Sequence, residues 1–163
     1  MSDGRSKQLV KQAGEHLVAA ELAKRGFLAT PFAGNVPGFD VIAIGEGLKA
    51  IPVQVKTISS SSWQLKASRF IDISFVGKKQ RVTGISNTVS DHLIYVFVKI
   101  ATESDDRFYI IRAKDLAGRI KKNYINFLYR FDNVRPKNHK STHASINETH
   151  LADCLNKWDI FSE

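Results

Sequence analysis

Two apolar segments flanking a glycine-containing turn constrain this chain most. They are "FDVIAI" (residues 39–44) and "AIPVQVKT" (residues 50–57), separated by "GEGLK". Successive side chains of a strand point to opposite faces, so Val53 and Val55 share one face and Gln54 and Lys56 the other. A turn centred on Gly47 pairs positions whose numbers sum to about 94, which sets Asp40 opposite Gln54; a sum of 96 sets it opposite Lys56. In either register Asp40 joins the Gln54 and Lys56 face, and Val41, Ala43, Val53 and Val55 form the other. One hairpin thus gathers a carboxylate, an amide oxygen and an ammonium. Hard cations such as Mg²⁺ take oxygen ligands of this kind, and a neighbouring cation suits phosphoryl chemistry. The alternative is a plain cross-strand ion pair of Asp40 and Lys56 beside a solvated Gln54.

Upstream, residues 6–25 predict a helix, with Leu9, Val10, Ala13, Leu17 and Ala20 at helical spacing and Gly26 as its stop. Glu15 projects beside Val18, Ala19 and Leu22, which turns an acid toward an apolar face; Glu21, between Val10 and Leu17, is its rival. Residues 27–32 predict a short strand and "AGNVPG" a loop that lets a substrate approach Asp40. Downstream, "WQLKASRFIDISFV" is strand-like at both ends and "GKKQRVTGISNTVSD" reads as a basic loop. "HLIYVFVKI" and "RFYIIRA" read as a hairpin of buried strands. "KDLAGRIKKNYINFLYRF" is expected to be helical in its first half, residues 133–149 a polar loop, and "HLADCLNKWDIF" (residues 150–161) a helix. The order implies one α/β domain over residues 1–163 with a mixed central β-sheet flanked by helices. Residues 1–57 supply its helix and motif hairpin, and 136–163 a loop and C-terminal helix.

The order Glu15, Asp40, then Gln54-Val55-Lys56 resembles the PD-(D/E)xK nuclease superfamily, in its resolvase-like and homing-endonuclease-like branch. "PGFD" stands where the family has its "PD", and "VQVKT" where many members have an "IEVK" or "IQVK" strand. The resemblance covers residues 7–57. It implies a restriction-endonuclease-like fold and metal-dependent hydrolysis of DNA phosphodiester bonds by a homo-oligomer, a dimer. Asp40, Gln54, the Val55 carbonyl and Glu15 would hold Mg²⁺ or Mn²⁺, and Lys56 would orient or activate the attacking water. The departure is Gln54, where the family usually has an acid; it leaves room for a catalytically inactive nucleic-acid-binding module, or an RNA-directed enzyme, on the same fold.

Charge agrees with a polyanionic partner: 24 Lys and Arg stand against 16 Asp and Glu, a net charge of +8. Candidate DNA contacts are Trp63, Lys66 and Arg69, then Lys78, Lys79 and Arg81, then Arg119, Lys121 and Lys122. A run of solvated surface charge is the plainer reading of any one of these clusters. His139, His143, His150 and Cys154 have spacings usable for zinc, although their order matches no standard finger. A helix that buries Cys154 accounts for that stretch more simply. No Walker loop, GxGxxG or Ser-His-Asp arrangement occurs. No apolar run approaches the roughly 20 residues that span a bilayer, and the single cysteine predicts a reducing, cytoplasmic setting.

Overall fold

A computed structural model describes residues 4–33 and 38–163. Of the "AGNVPG" loop, residues 34–37 lie outside the described residues. The chain forms a mixed α/β structure that divides into two compact units. The first comprises residues up to Trp63, His92–Arg112 and Asn147–Glu163; the second comprises Gln64–Asp91 and Ala113–Ile146.

The first unit begins with helix α1 (Gly4–Lys24), followed by β1 (Leu28–Pro31), β2 (Val41–Ile44) and β3 (Ala50–Ile58). The N–H of Phe27 bonds the Leu22 carbonyl at 3.1 Å and that of Gly26 the Ala23 carbonyl at 3.0 Å. With Gly26 at φ +87° this is a Schellman stop, in the left-handed backbone that glycine adopts at least cost. The helix buries a different stripe from the one its sequence suggested. Gly14, Val18, Ala19 and Leu22 face the sheet, while Leu9, Ala13 and Ala20 are exposed. The inward stripe is the one beside which Glu15 projects.

The β2–β3 hairpin has the register that sums to 94: Val41 pairs with Val53 and Ala43 with Ile51. Gly47 sits in the turn at φ +72°. Val41, Ala43, Val53 and Val55 are all buried against α1, as alternation predicted. Fully burying a valine, leucine or isoleucine contributes about 1.5–3 kcal/mol, and this face shares the core of the unit with Val18 and Leu22 of α1 and with Ile94, Val96, Phe108 and Ile110. β3 then pairs in parallel with β7 (Ile94–Lys99), which pairs antiparallel with β8 (Arg107–Arg112). The resulting five-stranded sheet, β1-β2-β3-β7-β8, is mixed.

The C-terminal helix expected from spacing is replaced by two 3₁₀ helices, Glu148–Cys154 and Trp158–Ser162. Leu151, Cys154 and Trp158 are buried, but Leu155 and Asn156 interrupt the helix between them. Leu155 is extended and forms a bridge with Tyr109; Asn156, at φ +54°, donates its N–H to the Phe108 carbonyl at 2.9 Å. The backbone here satisfies itself on β8, so an i, i+3, i+7 pattern is met without a continuous helix.

The second unit holds β4 (Trp63–Lys66, continuing from the first unit), β5 (Ile71–Val76), β6 (Lys79–Ile85), helix α2 (Ala113–Tyr129) and β9 (His143–Ile146). β4 pairs with β9, and β5 with β6. Two expectations are corrected here. The basic loop contains β6, because Gly77 at φ +59° opens a two-residue turn between Val76 and Lys79. The polar loop contains β9. Helix α2 also extends beyond its predicted half, since Ile120, Tyr124 and Leu128 continue the buried stripe. Buried Gln80 donates to the carbonyls of His139 and Ser141 at 2.7 and 2.9 Å and accepts from the Tyr124 hydroxyl at 2.6 Å, which ties β6 to α2 and to the polar segment.

Candidate active site

Asp40 stands one residue before β2, where β3 continues past the end of its partner strand. Its N–H donates to the Val53 carbonyl at 2.8 Å, which fixes the backbone. Its Oδ2 accepts the Val55 N–H at 2.9 Å and also accepts from the Gln54 side-chain amide. The sequence assigned Gln54 an oxygen ligand, but here its NH₂ end turns to Asp40. In a strand the N–H and C=O of one residue point to the same edge, so the Val55 carbonyl opens on the Asp40 side. Lys56 shares the Gln54 face by alternation and pairs with Phe97 of β7.

Helix α1 supplies the second carboxylate. Glu15 and Asp40 have side chains only 12% and 11% exposed, and one ammonium serves both: Lys11 Nζ lies 3.4 Å from Glu15 Oε1 and 3.6 Å from Asp40 Oδ1. Glu21, the rival acid, is bound instead to Lys24 and Arg25 at 2.7 Å each on the surface. The helix comes this near because Gly14 has no side chain. A Cβ built there would lie 1.8 Å from Thr57 Oγ1, itself buried and without a hydrogen-bond partner among the described residues. Lys11 was not singled out from the sequence. Its signal is the i, i+4 spacing to Glu15, which puts it one turn along the same helix row.

Burial raises the Glu15 pKa above the usual carboxylate range, the Asp40 charge raises it further, and Lys11 only partly offsets both. A folded pKa above the unfolded one means that the native state binds the extra proton between the two values. Stability is then lost as pH rises through that window. We expect Glu15→Gln to flatten the alkaline side of this step, checked by thermal unfolding at pH 4–7. An unchanged pH profile would place Glu15 in ordinary solvent.

Two part-buried carboxylates already converge on one positive charge, with a backbone carbonyl edge and an amide beside them. Among the described residues no group of three or more His, Cys, Asp or Glu could hold a metal, so any ion would rest on two acids and neutral oxygens. The zinc spacing does not assemble a site: the His150 ring accepts the Asn147 N–H at 3.1 Å in a capping box, and Cys154 is buried.

The proposed DNA contacts divide by unit. Trp63 belongs to the first and is 1% exposed, packed edge-to-face on Phe97 and Tyr109 at 5.3 and 5.9 Å. It is a core aromatic, and its indole offers no stacking surface. Lys66, Arg69, Lys78, Lys79, Arg81 and Lys122 are exposed, and Arg119 and Lys121 half-buried, all in the second unit. Among the described residues no helix is long and apolar enough to cross a membrane. No protein-family model, curated protein or solved structure matches this chain.

Proposed function

We propose that the first unit is a restriction-endonuclease-like core that hydrolyses DNA phosphodiester bonds with Mg²⁺ or Mn²⁺. The observation that carries this is the pairing of Glu15 and Asp40, from separate elements, around one cation position beside Gln54 and the Val55 carbonyl edge. Asp40 Oδ1 and Glu15 would hold the ion, with Gln54 Oε1 presented after rotation about its Cγ–Cδ bond. The ion would supply Lewis-acid polarisation of the scissile phosphate. Lys56 would orient the attacking water and offset charge developing on the phosphate. Incubation with supercoiled, branched and single-stranded DNA, with Mg²⁺, Mn²⁺ or chelator, is the test. Cutting that requires the metal supports the reading; binding without cutting overturns it.

A second reading, a nucleic-acid-binding module that does not cut, is favoured by Lys11. Its ammonium already neutralises both carboxylates, and Gln54 adds no charge. Under the nuclease reading Lys11 competes with the ion. An ammonium near 4 Å from a charge is worth about 1 kcal/mol in water-like surroundings. Lys11→Gln should therefore tighten Mg²⁺ binding by about fivefold, measured by titration calorimetry. If neither the wild type nor Lys11→Gln binds Mg²⁺, the module reading replaces the enzyme.

A further inference from the structure

The positive charge of this protein is carried by one unit. The second unit contains thirteen Lys and Arg against four Asp and Glu, while the first contains eleven against twelve. An excess confined to under half of the chain is a far stronger polyanion signal than the same total spread evenly.

Within the second unit, β5 and β6 form a two-stranded ribbon. Its pairs alternate between faces. Ser74 lies opposite Arg81 and Val76 opposite Lys79, and all four are exposed. Phe75 lies opposite Gln80, on the face that Gln80 anchors to α2 through the Tyr124 hydroxyl. Gly77 and Lys78 make the tip, and residues 74–79 are exposed without a break. The free face thus carries Lys79, Arg81, a valine and a hydroxyl, with Lys78 at its end. The acid nearest along these strands, Asp72, lies at the base of the ribbon opposite Gly84, away from the tip.

We infer that this ribbon is the DNA-gripping element, and that it engages the major groove and flanking phosphates of duplex DNA. This rests on the reading of the protein as a DNA-acting one. The major groove admits a two-stranded β-ribbon, Arg and Lys pair with guanine edges and phosphates, and hydroxyls and small apolar groups meet base edges. The anchored Gln80 holds the ribbon before binding, so little ordering entropy is lost on contact. Binding is thereby assigned to the second unit and chemistry to the first.

The experiment measures affinity for a duplex of about 25 base pairs against salt by fluorescence anisotropy. The triple variant Lys78→Gln, Lys79→Gln, Arg81→Gln should lose roughly 2–3 from the log–log salt slope, at about 0.9 per phosphate contact. The control triple Lys24→Gln, Lys49→Gln, Lys157→Gln, all exposed in the first unit, should keep the wild-type slope. The single exposed exchange Lys79→Glu should weaken binding in the same direction, which guards against misfolding of the triple. Equal slopes for wild type and hairpin triple, or an equal loss in the control, would overturn the inference. So would a loss confined to single-stranded DNA or RNA. The two readings fail separately. If the wild type binds DNA but never cuts it, and the ribbon variant loses that binding, the nuclease reading falls and the ribbon stands. A ribbon variant that binds and cuts like wild type does the reverse.

Discussion

Asp40→Asn should fold like wild type and cut DNA at least about 100-fold more slowly. Changing residues that merely support a metal's ligands costs 10–100-fold, and Asp40 is proposed as a ligand itself. The asparagine matters as a control for stability. Asp40 Oδ2 accepts the Val55 N–H and the Gln54 amide, and an asparagine carbonyl can accept the same two bonds. Asp40→Ala instead leaves a buried N–H without its partner, at about 1–3 kcal/mol, and so confounds chemistry with folding. Gln54→Glu belongs in the same series. It restores the acid usual in the family, adds a third negative charge beside Glu15 and Asp40, and should strengthen Mg²⁺ dependence. The readouts are Mg²⁺ titrations of cleavage and the thermal midpoint of each variant. If Asp40→Asn cuts at the wild-type rate, this pair of carboxylates is structural.

Gly14→Ala should be among the most destabilising single exchanges of a surface-looking helix residue. Propensity alone predicts the opposite, since alanine in a helix interior is favoured over glycine by about 1 kcal/mol. Packing decides the sign. The new Cβ would stand 1.8 Å from Thr57 Oγ1 and 2.7 Å from its Cβ and Cγ2, so α1 must move off β3. Overpacking of this kind costs about 1–3 kcal/mol or more, which exceeds the propensity gain. Thr57→Ala should partly rescue it by removing the hydroxyl and methyl. Because Glu15 follows Gly14, the same displacement should separate Glu15 from Asp40. The prediction is therefore a lower thermal midpoint together with weaker Mg²⁺ binding. A variant as stable as wild type would mean that α1 does not approach β3 this closely.

The motif hairpin was legible residue by residue. Strand alternation has a period of two, so a single turn residue, Gly47, determines which side chains share a face, and the observed pairing of Val41 with Val53 follows. The stop of α1 was equally readable, because few residues adopt the backbone of Gly26 cheaply. The apolar stripe of α1 was not. Leu9, Ala13, Leu17 and Gly14, Val18, Leu22 are both helical rows, and only the presence of β3 and Thr57 selects the second. The β5–β6 ribbon carried a local signal in Gly77-Lys78, but its charged outer face masked the strand alternation. Trp63 is the sharpest case. Beside Lys66 and Arg69 it read as a candidate DNA contact, and Phe97 and Tyr109, 34 and 46 residues away, make it core. Local sequence determined the hairpin, its turn and the identities of the two acids. Only tertiary structure decided that Lys11 sits between those acids, that Gln54 turns its nitrogen to Asp40, and that the positive charge gathers in one unit. Backbone geometry acts over a few residues, whereas burial, ion pairing and charge segregation depend on which distant segments the fold brings together.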